Sequence, residues 1–261
     1  MVKKTKNEEV SMQDLAEWSG ENTVRRFRYV VPVLKFNGIK GKFSLLMPDE
    51  SGNWISKDIS KSEIEINILK VRRVLSSYEK LPDGSGLRNF TNEHNTWKDA
   101  LTVFEMKKGD SKPRMVDMGS SEEVRKRNPN LRLRQNLYCI YDNQIVKLTA
   151  RGKSLSSLFD YYQKFKANEH IFEFITNLSS HDETNEGGLT YYVLDWERGD
   201  KADLPMVAEK IKEVKESLAL QDKQYAEFRT APEYEAKESR PEEETEEGKK
   251  EEEIKVENIP M

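Results

Sequence analysis

A chain of 261 residues, 36% hydrophobic and 34% charged, suits one large or two small domains with a charge-rich surface around an aromatic-heavy core. No run approaches the roughly 18 consecutive apolar residues of a membrane span, and the leading MVKKTKNEEVSMQDL lacks the apolar stretch of a secretory signal. One cysteine, Cys139, and three scattered histidines, His94, His170 and His181, exclude an internal disulfide and any recognised zinc spacing; no cofactor is expected, and the expected compartment is the cytoplasm.

Residues 1–20 are expected to form a flexible leader, and 21–204 the folded body. FRYVVPVLKF (27–36) reads as a strand by its β-branched and aromatic content. Asn37-Gly38 is a turn signal, with 39–47 returning as the hairpin partner. Pro32 must sit where its missing N–H costs nothing, at an edge or a bulge. Residues 48–60 read as a loop carrying Trp54. The stretch 64–78 alternates, with Ile64, Ile66 and Ile68 on one face and Glu63, Glu65 and Asn67 on the other, which predicts a long strand, half wet. It ends at the breaker LPDGSG (81–86), which opens an insertion over about 80–135. Inside it are strands expected at 101–106 and 113–118 and a charged helix at 120–127. Residues 107–134 hold 9 basic and 4 acidic side chains, net +5, the most basic window in the chain.

Residues 137–141 and 145–151 flank Asp142-Asn143 as another hairpin. From 153 to 166 the spacing turns helical, with Leu155, Leu158, Phe159, Tyr162 and Phe165 on one side and Ser154 near the N-cap. Residues 171–178 and 189–197 read as a third hairpin around a polar loop ending in Gly187-Gly188. After Pro205, a stripe of Val207, Ile211, Val214, Leu218, Tyr225 and Phe228, broken at Gln221, predicts a C-terminal helix over 205–230 that docks on the body. Residues 231–261 are expected to be a disordered acidic tail. Its span 232–261 carries 12 acidic and 5 basic residues, net −7, which leaves residues 1–231 at +3 of the total −4. The apolar tip can still dock in a partner's greasy pocket with a basic rim.

The order of elements predicts a mainly β, α+β fold: an OB-like antiparallel barrel with an inserted segment, a capping helix, the C-terminal helix and the acidic tail. RYVVPVLKF, KLTARGKSLSSLFDYYQKF and the pair FEFITNLSS and YYVLDW carry a resemblance to the single-stranded-DNA-binding proteins that phages and some bacteria build on an oligonucleotide-binding barrel. The terminus EEEIKVENIPM resembles the acidic tail tip of bacterial single-stranded-DNA-binding proteins, which ends in aspartates followed by Ile/Leu-Pro-Phe. Here Met261 replaces the aromatic, and the nearest acid, Glu257, is separated from Ile259 by Asn258. The resemblance implies a non-enzymatic protein that coats single-stranded DNA in replication, recombination or repair. It also implies recruitment of replication and repair proteins through a tip made of Glu257, Ile259, Pro260 and Met261.

Single-strand binding needs cations that track phosphates and aromatic rings on which bases stack. The candidates pair these types: Lys70, Arg72 and Arg73 near Tyr78; Arg88, Phe90 and Trp97 beyond the glycine loop; Arg132 and Arg134 before Tyr138 and Tyr141; then Lys147, Arg151 and Lys153. Strand alternation allows only one of Tyr138 and Tyr141 to face a shared groove. Two competing readings are a protein-interaction adaptor and a metal-dependent nuclease using Glu105, Lys107 and Asp99. Arg151-Gly152-Lys153-Ser154 is not a phosphate loop, because Lys147 stands where that motif needs its first glycine.

Overall fold

The computed structural model describes residues 31–49, 53–82, 84–108, 110 and 112–229. The leader, the first residues of the 27–36 strand and the acidic tail lie outside them. Within them the fold is β-rich α+β. The strands are β1 (Val33–Asn37), β2 (Lys42–Pro48), β3 (Trp54–Ile59), β4 (Ile64–Lys80), β5 (Gly86–Thr91), β6 (Leu101–Lys107) and β7 (Arg114–Gly119). Helix α1 (Ser121–Arg127) precedes β8 (Arg132–Tyr141) and β9 (Gln144–Arg151), and α2 (Lys153–Tyr162) precedes β10 (Phe174–Thr184) and β11 (Thr190–Lys201). The long α3 (Leu204–Arg229) closes the described chain.

The hydrogen-bonded order is β3-β2-β1-β9-β8-β4-β5-β6-β7, with β10 joined to the start of β4 and β11 joined to β10. β1 runs parallel to β9, so the sheet is mixed where an all-antiparallel one was expected. The 17-residue β4 is its backbone: residues 64–66 pair with β10, 67–76 with β8 and 76–80 with β5. The insertion at 80–135 therefore extends the same sheet as β5-β6-β7, with α1 packed against it.

Local chemistry explains most element ends. Asp142 and Asn143 both adopt positive φ, 49° and 58°, the left-handed pair that a tight two-residue hairpin requires. The Asn37 side chain accepts the N–H groups of Ile39 and Lys40 and holds the β1–β2 turn. Ser120 and Glu123 form a reciprocal capping box at the start of α1. A register shift between Ile68 and Lys70 puts Lys70 on the same side as Leu69 and Tyr138, away from the isoleucine face, and swaps the faces of the residues that follow.

The main core lies between one face of β4, β8 and β9 and helix α2, where Ile66, Ile68, Leu137, Leu148, Leu158, Tyr161 and Trp196 are buried. Four expectations are corrected. Residues 54–59 form a strand because β2 offers a complete ladder, although their own sequence is polar and mostly exposed. Strand β10 runs on through the polar 179–184, paired throughout with β11. Asn67 is buried instead of wet, donating to the carbonyls of Phe172 and Phe174 at 3.0 and 2.7 Å. Gly152, not Ser154, is the N-cap of α2; Ser154 accepts the Leu194 N–H and Trp196 Nε1–H and ties the helix to β11.

Candidate nucleic-acid interface

Register decides which candidates share a surface. Across β4, β8 and β9 the aligned rows are Lys70–Tyr138–Lys147, Arg72–Asn136–Thr149 and Val74–Arg134–Arg151. Ser76 then lies opposite both Arg132 and Phe90, and Tyr78 opposite Arg88. These are alternate positions along each strand, so all of them project from one face. Ten of the expected residues therefore meet there: Lys70, Arg72, Tyr78, Arg88, Phe90, Arg132, Arg134, Tyr138, Lys147 and Arg151. It is the face turned away from α2.

Helix α3 covers part of this face. Its Val207, Val214 and Leu218 pack on Leu69, Tyr138, Ile140 and Ile145, and its Tyr225 stacks on Phe104 at 5.4 Å, beside Phe90. Under the helix lies a buried carboxylate, Glu93. Its Oε1 accepts from Asn136 Nδ2 at 2.6 Å and Gln221 Nε2 at 3.2 Å, and its Oε2 lies 2.8 Å from the Tyr138 hydroxyl. Lys147 Nζ stands 3.6 Å from the same carboxylate. Arg72 makes a two-pronged bond to Asp222 of α3, at 2.8 and 3.1 Å. Burial pulls the Arg72 pKa down, but the Asp222 carboxylate outweighs it and the net shift is upward. Burial first, and then the Glu93 charge, push the Tyr138 phenol far up, so it stays a neutral donor. Arg72, Tyr138, Lys147 and Phe90 are thus internal: their rings and charges hold α3 instead of facing a ligand, and they leave the candidate interface.

The rest of the face is open and has a different character. Arg134 and Arg151 sit directly opposite each other on neighbouring strands, and Arg88 is close enough to act on Arg134 electrostatically. Burial, then repulsion from Arg151 and Arg88, bring the Arg134 pKa down to about 10. Among the described residues, none of these three guanidinium groups, nor Arg132, forms an ion pair with a carboxylate. Arg132 donates to the Pro129 carbonyl, and Lys70 is exposed on the same face. Beside them Tyr78 is 68% exposed, and its ring lies over Gly86 so closely that a side chain at 86 would collide with it. The glycine lets the ring lie down on the backbone, with its outer surface in water.

Four candidates fall elsewhere. Lys153 projects toward Glu183 of β10, 3.9 Å away. Tyr141, on the opposite face from Tyr138, borders a hollow with Glu63, Glu65, Asp142 and Glu197, surroundings hostile to phosphate. Arg73 also projects to the opposite face, where its guanidinium lies 5.6 Å from the ring of Trp97. The tail tip lies outside the described residues. Of the nuclease candidates, Glu105 is paired with Arg114, and Asp99 accepts the N–H groups of Asn95 and Thr96 in its own turn. No cluster of three His, Cys, Asp or Glu side chains suited to a metal occurs among the described residues.

Sequence reasoning missed Glu93, Asp222 and Arg125. Only the polar break at Gln221 in the α3 stripe signalled a buried polar partner. No family model, curated protein or solved structure matches this chain.

Proposed function

We propose that this protein binds single-stranded DNA with little sequence preference, as a binding protein and not an enzyme, in replication, recombination or repair. The observation that carries the reading is the Arg88–Arg134–Arg151 group, which has no carboxylate partner among the described residues, beside the exposed, flat-lying ring of Tyr78. Like charges held together without a counter-charge cost stability, and a polyanion offsets that cost. Phosphates on the arginines and a base on Tyr78 are the two contacts that sequence-tolerant single-strand binding needs. Lys70 and Arg132 extend the cationic surface on the same face.

The strand order supports an OB-like reading of the body. β4, β8 and β9 run as an antiparallel meander, α2 follows, and β10 and β11 return with β10 antiparallel to β4. That is the strand-strand-strand-helix-strand-strand order of the oligonucleotide-binding barrel, with the β1–β2 hairpin alongside β9 and the β5-β6-β7 extension inserted. The proposed interface is the outer surface of its second and third strands, next to the long first one. The acidic tail, ending in Glu257, Ile259, Pro260 and Met261, would recruit replication or repair proteins.

A fluorescence-anisotropy titration with labelled oligo-dT tests the reading. It requires affinity that falls steeply with salt and weaker binding to a duplex of the same length. Equal affinity for the duplex, or no binding at low salt, would overturn it.

A further inference from the structure

A further cationic-aromatic group, with a part-exposed ring, lies off the face described above. Trp97 sits at the tip of a turn that follows β5, and the turn is rigid: Asp99 accepts from Asn95 N–H, Thr96 N–H and the Thr96 hydroxyl at 2.9 to 3.0 Å. The turn is fastened to β4 by a two-way backbone bridge between Arg73 and His94. Two guanidinium groups from distant parts of the chain converge on the indole: Arg73 of β4 at 5.6 Å and Arg125 of α1 at 5.7 Å. The insertion is what brings Arg125 there. Beneath them His94 is buried, with its ring 5.2 Å from the indole and its Nε2 without a partner among the described residues; burial first, and then the charges of Arg73 and Arg72, lower its pKa. Arg73 bonds the Asn95 carbonyl, and neither arginine forms an ion pair among the described residues. Trp97 is still 37% exposed.

An indole that two uncompensated arginines leave part-open to solvent has the composition of a nucleobase-and-phosphate contact. The same row logic that gathers the first group sets this one apart: Arg73 is adjacent in sequence to Val74, whose row holds Arg134 and Arg151, so it projects to the other side of the sheet. We propose that Trp97, Arg73 and Arg125 form a second contact station for an unpaired polynucleotide, engaged only by strands long enough to leave the Arg88–Arg134–Arg151 face and pass to the opposite side. This rests on the single-strand reading of that face and adds a length dependence to it. Short strands use one station and long strands use both.

The test compares two labelled oligo-dT strands, of about five and about thirty nucleotides, on the full chain carrying Arg125→Ala or Arg125→Glu. Arg125 is exposed at the end of a short helix, so both variants keep the fold. The long strand is expected to bind about five- to tenfold more weakly to Arg125→Ala and more weakly still to Arg125→Glu, with the short strand changed less than twofold. Quenching of indole fluorescence by the long strand, and not by the short one, should disappear in Trp97→Phe. Unchanged long-strand affinity in both Arg125 variants overturns the second station and leaves the first intact. Equal weakening of both lengths also overturns it, because the group would then act on the first face. Failure of the unaltered protein to bind either strand overturns the single-strand reading itself.

Discussion

Replacing Arg134 and Arg151 together by alanine separates a phosphate contact from a structural one. Counterion release lowers log affinity with log salt by about 0.7 for each phosphate neutralised on a single strand. Three arginines on the open face, Arg134 and Arg151 in register and Arg88 near them, give a combined slope of about −2.1. Raising salt from about 50 to 200 mM then costs about 18-fold in affinity through these groups alone. With Arg88 as the remaining member the slope contribution falls to about −0.7 and the loss to about 2.6-fold. Contacts from Lys70 and Arg132 add equally to both proteins, so the readout is the difference in slope, about 1.4, from anisotropy titrations at four or so salt concentrations. Stability gives the complementary result. Arg134 is half-buried, without an ion pair among the described residues and opposed by two like charges, so its removal relieves repulsion and the unfolding temperature should hold or rise. Parallel salt plots for the two proteins, or a large drop in melting temperature, would refute the assignment of these arginines to phosphates.

Tyr78→Ala removes the stacking platform and should weaken oligo-dT binding by about 1–3 kcal/mol, roughly 5- to 150-fold, with little change in melting temperature. Gly86→Ala forces the same ring off the backbone and should weaken binding in the same direction with Tyr78 still present. Glu93→Ala removes the buried acceptor of the Asn136 and Gln221 amides and of the Tyr138 hydroxyl and the carboxylate beside Lys147, a loss of about 3–5 kcal/mol that calorimetry should record as a lower melting temperature. The pKa of buried His94 is lowered, first by burial, so the unfolded chain takes up the proton before the folded one. Stability should therefore fall as pH drops below about 6.5, and His94→Gln should flatten that slope in urea titrations from pH 7.5 to 5. His181 is raised by Asp195 and contributes in the opposite sense: its stabilisation is full below about pH 6.5 and is lost as pH rises through its folded value, so His181→Ala should abolish a gain in stability seen as pH falls toward about 6.5.

Much of the fold was legible because its elements carry local signals. Asn37-Gly38 and Asp142-Asn143 marked their hairpins, the alternation of Ile64, Ile66 and Ile68 marked β4, and the 3-and-4 spacing of Val207 to Phe228 marked α3. β3 was not legible, because Ser56, Lys57 and Asp58 are held in a strand by β2 and not by their own preference. The continuation of β10 through Ser180 and Asp182 has the same origin in β11. At the site, alternation separated Tyr138 from Tyr141, but it could not show the bulge between Ile68 and Lys70 that brings Lys70 and Arg72 onto the face of Tyr138. It could not show that α3 lies over half of that face, because a helix stripe reports that it docks and not where. Arg72, Lys147 and Tyr138 looked like ligand-binding groups because the partners that absorb them, Glu93 and Asp222, are far away in sequence.

Photocrosslinking with an oligonucleotide carrying 5-iodo-deoxyuridine, followed by peptide mapping, tests the central claim most directly. An unpaired base lying on the ring beside Arg88, Arg134 and Arg151 should crosslink at Tyr78, near the end of β4. Crosslinks absent from β4 and β5 and confined to the Glu63–Glu65 side of the sheet or to the β10–β11 hairpin would contradict it.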